Sequence, residues 1–89
     1  MDILKFLEEI NAIKDKLYQE VGEKHENLSF PFLVRELLES KRLDEQMAVD
    51  LRELWKTRNE VVSSRNAVKE ISSSTQVVLA RTINNLNQN

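Results

Sequence analysis

One glycine, Gly22, and one proline, Pro31, in 89 residues leave this chain few means of turning tightly. Hairpins draw on glycine, asparagine and proline for dihedrals that other residues adopt only at a cost. A sandwich or barrel needs such a turn about every 8–12 residues. The chain is therefore expected to be all-α, and its apolar residues agree. Ile3, Phe6, Ile10, Ile13 and Leu17 recur at alternating intervals of three and four. That spacing puts them on one stripe of a helix from about Asp2 to Val21. Leu4, Leu7 and Val21 widen the stripe beyond a coiled-coil seam, as a bundle helix requires.

Gly22 and the polar run GEKHEN close this first helix, and His25 within it reads as a solvated histidine rather than a catalytic one. Ser29 to Pro31 opens a second helix, with serine as cap and proline tolerated in the first turn. Phe30, Leu33, Val34, Leu37 and Leu38 give it an apolar face ending near Ser40. Asp44 caps a third helix from about Glu45 to Val62 or beyond, and Glu45 in its first turn suits the helix dipole. A fourth helix carries Val77, Val78, Leu79, Ile83 and Leu86. It is expected to start within Ser72–Thr75, where Ser73 and Gln76 have capping-box spacing. Asn66 to Ile71 reads either as a prolongation of the third helix or as a loop, and the tail NNLNQN is expected to fray. Without repeats or linkers, residues 1–89 form a single helical domain.

Composition narrows the chemistry. A hydrophobic fraction of 40% and a charged fraction of 31% describe a soluble globular chain. A domain this small has a modest core, which association between copies commonly supplements. The absence of cysteine excludes disulfides and thiolate metal sites, and one histidine excludes a zinc site built on imidazoles. No glycine-rich phosphate loop exists, and neither a metal nor a cofactor is expected. No apolar run approaches the roughly 20 residues that span a bilayer. The opening MDILKFLEEI carries acids within its apolar pattern, unlike a signal peptide. The chain is read as cytoplasmic, with no membrane partner.

A net charge of −2 argues against nonspecific coating of nucleic acid. The charge is uneven, however. Residues 1–28 hold seven acids and four bases, whereas residues 52–69 hold five bases (Arg52, Lys56, Arg58, Arg65, Lys69) against Glu53 and Glu60. By itself this basic segment reads as the solvated charge of an ordinary helix.

One residue resists that reading. At about 100° per residue from Leu51, Arg58 falls near −20°, in the middle of the arc that Met47, Leu54, Trp55 and Val61 define. Asn59 lies at its edge. A charge there costs several kcal/mol unless it is paired or hydrated. Three explanations stand. Arg58 pairs with a carboxylate such as Glu36 or Glu39; it snorkels to water along the bundle surface; or it faces a cleft that receives an anion such as phosphate. Trp55 on the same arc reads as core or dimer interface rather than as a platform for bases.

The block LLESKRLDEQMAVDLRELWKTRNEVV, followed by a polar stretch and a closing helix, resembles the HEPN superfamily (higher eukaryote and prokaryote nucleotide-binding domains). The resemblance covers roughly residues 30–86. It implies an up-and-down bundle of four helices and a homodimer whose two motifs meet across a cleft. The family motif is an arginine, a polar residue, and a histidine four to six residues past the arginine. Here RNEVVS supplies Arg58 and Asn59 but has Ser63 in the histidine place, followed by Ser64 and Arg65. In active members, as the resemblance implies, the arginine stabilises phosphate charge and the histidine moves protons during metal-independent RNA cleavage. Ser63 has no pKa for that task and no base beside it.

The expectation is therefore a catalytically degenerate domain with a residual anion- or RNA-binding cleft at Arg58, Asn59 and Arg65. Its role is interaction or regulation, in a toxin–antitoxin or phage-defence setting. Its partners would be a second copy, a protein such as an antitoxin, and RNA or a nucleotide. The alternatives are a metal-independent endoribonuclease and a plain helical adaptor in which Arg58 closes an ion pair.

Overall fold

The computed structural model describes residues 1–21, 29–63 and 70–88. Four helices, α1 (Ile3–Val21), α2 (Phe30–Glu39), α3 (Glu45–Ser63) and α4 (Ser73–Asn87), make an all-α bundle. Among the described residues there is no strand. His25 and the GEKHEN run lie outside the described residues, as do Ser64, Arg65 and most of 66–71.

The helices start where the sequence offers an acceptor for otherwise unpaired N–H groups. Asp2 Oδ1 accepts from Lys5 N at 2.9 Å ahead of α1, and Asp44 Oδ1 accepts from Met47 N at 2.7 Å ahead of α3. Two expected caps differ. Ser29 precedes α2 in extended conformation, with no side-chain cap bond. At α4 the cap is Ser72, whose Oγ accepts from Thr75 N, so the expected Ser73–Gln76 pairing slips by one residue. Gln76 instead donates from Nε2 to the carbonyl of Ile71 at 3.0 Å.

Lys41 ends α2 by taking φ 64°, a left-handed position usually held by glycine. The turn it makes sends Arg42 N to Leu37 O and Lys41 N to Leu38 O. From there Arg42 Nη1 reaches the carbonyl of Glu20 at the end of α1. The tail expected to fray stays helical to Asn87. Leu86 is buried, and Lys16 Nζ donates to Leu86 O at 2.9 Å and to Asn87 Oδ1 at 3.3 Å, so the last turn has both an apolar anchor and a donor.

The stripe read on α1 is its buried face: Phe6, Ile10, Ile13 and Leu17. Ile3, Leu7 and Val21 pack partly buried at its margin, while Leu4, counted with that margin, is exposed. α3 touches each of the other three helices, and its Leu51 is wholly buried. α2 and α3 are antiparallel, since residues 40–44 join the end of one to the start of the other while Phe30 at the far end of α2 meets Trp55. α4 opposes α3, since Arg42 just ahead of α3 reaches the end of α1, where Lys16 holds Leu86 near the end of α4. α1 runs in the sense of α4, since Met1 O accepts from Ile71 N at one end and Lys16 reaches Leu86 O at the other, so α1 and α2 do not alternate as the expected up-and-down order requires. No described helix is long and apolar enough to cross a membrane.

Candidate functional site

The stacking of Phe30 on Trp55 explains how an arginine is accommodated on the apolar arc. The two rings lie 4.5 Å apart between centroids and 17° from parallel. The start of α2 is thus level with Trp55, and Arg58, one turn further along α3, lies beyond it. Arg58 is half-buried rather than buried. Its guanidinium carbon sits 4.6 Å from the centre of the Trp55 ring, and its Nη1 donates to Asn59 Oδ1 at 3.0 Å. A cation over an aromatic face gains about 0.5–1 kcal/mol at such partly exposed sites.

The ion pair with α2 does not form. Glu39 accepts from Arg35 Nε at 3.0 Å, and no salt bridge among the described residues involves Arg58. Direction is the cause. With Phe30 opposite Trp55 and the helices antiparallel, Glu36 stands about 13 Å along the axis from Arg58, at 1.5 Å per residue. Trp55 is partly buried against the core, as its place on the arc suggested.

The motif positions do not all converge. Asn59 is exposed and joined to Arg58. Ser63 lies about 140° round the helix from Arg58. Its hydroxyl donates to Asn59 O at 2.7 Å, within its own helix. Arg65 lies outside the described residues. Arg52 and Lys56 share with Asn59 and Ser63 one exposed stripe of α3, at helical spacing, and neither cation is ion-paired among the described residues.

A second charge on α3 escaped the sequence reading. Asp50 is 2% exposed, and Arg81 of α4 grips it with two parallel bonds, Nε to Oδ2 and Nη2 to Oδ1, both 2.8 Å. Gln46 Nε2 adds a third bond to Oδ1 at 3.0 Å. The hydrogen bond from Arg81 holds the Asp50 carboxyl below its ordinary value, overcoming burial, which acts the other way. The same contact raises Arg81. The signal was available. On the helical projection Asp50 falls near −100°, just past Val61 at the edge of the arc, where a charge bordering the core calls for a partner.

The Asp50–Arg81 pair lines a surface groove of about 310 Å³ between α3 and α4, with Val49, Glu53, Thr57 and Val78. Arg58, Asn59 and Ser63 do not line it. Among the described residues no three histidine, cysteine, aspartate or glutamate side chains gather as metal ligands. The site is thus a guanidinium on an aromatic face beside an amide, set near the end of the central helix of a four-helix bundle. Comparisons with protein-family models, curated proteins and solved structures find no match to this chain.

Proposed function

We propose that this chain is a catalytically degenerate HEPN-like domain that contacts RNA phosphate through Arg58 and acts in interaction or regulation. One observation carries the reading. Arg58 is a half-exposed guanidinium that no carboxylate among the described residues neutralises, while Trp55 and Asn59 hold it in place. Such a group keeps in-plane donors for phosphate oxygens, the contact a guanidinium makes best. Cleavage is not part of the proposal, because the Ser63 hydroxyl is engaged with its own helix and points away from Arg58.

The domain acts as a homodimer through its α3–α4 face, where Val49 and Val77 are 49% and 61% exposed. Its setting is a toxin–antitoxin or phage-defence system, with an antitoxin-like protein as the further partner.

Fluorescence anisotropy with a labelled single-stranded RNA tests the phosphate contact. Arg58→Ala weakens binding about tenfold, the size of one charge-assisted hydrogen bond, and the RNA stays intact in the presence of a chelator. Equal affinity of the variant and the native chain would refute the contact. Metal-independent cleavage that disappears in Arg58→Ala would instead restore the enzyme reading.

A further inference from the structure

We infer that Trp55 is a positioning residue for Arg58: its ring holds the guanidinium plane so that the free edge of that plane meets a phosphate oxygen. The inference rests on the reading of Arg58 as the anion contact, and it adds a residue that the family motif does not contain.

The geometry supplies a chain of supports running outward from the core. Phe30 is 4% exposed and fixed among core residues. It stacks on Trp55 at 4.5 Å and 17°, which fixes the indole in turn. The indole carries the Arg58 guanidinium at 4.6 Å. Residues three apart on a helix are neighbours, so the pair forms without backbone adjustment. A guanidinium lying face-on to a ring keeps its N–H donors, which all lie in the plane, for other partners. Asn59 takes one donor, from Nη1, and so gives the fork a second fixed point besides the ring.

An arginine at an exposed helix position otherwise samples many rotamers and loses that freedom on binding. Here much of it is already lost in the free protein. The arrangement also requires arginine. The ammonium of lysine is a compact charge without a plane to stack or a fork to aim.

Binding of the labelled RNA to the full chain decides the matter when Trp55 and Arg58 are varied singly and together. Trp55→Leu weakens binding about two- to fivefold, the range of one cation–π contact, and has no further effect where Arg58 is already alanine. Trp55→Phe, which keeps a ring and the core packing, falls between, and carries the comparison if Trp55→Leu does not fold. Arg58→Lys loses as much as Arg58→Ala. Equal weakening by Trp55→Leu in both backgrounds would mean a general structural effect and overturn the inference.

A second readout needs no RNA. The Arg58 Nε–Hε signal in NMR is dispersed in the native chain and collapses toward the exposed arginines in Trp55→Leu. If Arg58→Ala leaves RNA binding unchanged, the anion reading fails, and this signal still decides whether Trp55 orders the side chain. An unchanged signal in Trp55→Leu overturns the positioning role.

Discussion

Helix α3 carries two charges on its apolar arc, and the molecule treats them in opposite ways. Asp50, in the half that starts the helix, is covered by α4 and almost wholly removed from water. It survives there because Arg81 and Gln46 satisfy its oxygens with three hydrogen bonds. Arg58, in the half that ends the helix, lies beyond the start of α2 and keeps part of its surface in solvent. Its neighbours are a ring and an amide, neither of which cancels its charge. A charge sealed in the interior needs an opposite charge and becomes part of the scaffold. A charge at an uncovered edge needs only a surface to lie on, and it remains available to a ligand.

Stability measurements can break this contrast, and the largest effect is expected at the sealed site. Asp50→Ala removes a hydrogen-bonded ionic group and should cost about 1–3 kcal/mol. That is a drop of several degrees in Tm for a domain of this size. Arg81→Ala should lower Tm further still, because it strands a carboxylate that is only 2% exposed with Gln46 alone. Thermal melts in which neither variant moves would show that the pair holds nothing together.

The effect of pH should be smaller. Because the folded Asp50 has a depressed pKa, the unfolded chain binds more protons in the acid range, and stability from this group rises with pH there. The contribution is complete above the unfolded carboxyl value and is lost as pH falls through the folded one, below 3.8. Urea midpoints of the native chain and Asp50→Asn should therefore differ by a constant amount near neutrality and converge in strong acid. A gap that persists unchanged at the acid end would contradict the assigned cause.

Arg58→Ala should barely change stability, within about 0.5–1 kcal/mol, since only the contact with Trp55 is lost. A loss as large as that of Asp50→Ala would turn Arg58 into a scaffold residue and remove the basis for the proposed RNA contact. The contrast sharpens if Arg58→Ala leaves Tm nearly unmoved while RNA affinity falls.

Much of this architecture was legible along the chain. The α1 stripe, the Asp44 cap and the limits of α2 and α3 follow from local spacing and from residues whose effects reach one turn. The misreadings have longer-range causes. The tail was expected to fray, yet Lys16, 70 residues earlier, holds the Leu86 carbonyl. The cap of α4 moved to Ser72 because Ile71 is buried and tied to Met1, which fixes where the chain can enter the helix. At the candidate site, the position of Arg58 on the arc was readable, and so was the mismatch at Ser63. The stack of Phe30, Trp55 and Arg58 was not, because its first member belongs to another helix.

The sequence by itself determined that the chain is helical and which residues of each helix are apolar. Those properties depend on backbone freedom and on a period of a few residues. Tertiary structure alone decided the fate of the two charges, because each depends on where another helix begins or lies. Arg81 is 31 residues from Asp50, and it is the antiparallel packing of α4 on α3 that brings them together. Arg58 stays partly open because α2 starts level with Trp55, and that alignment is set by the packing of the bundle.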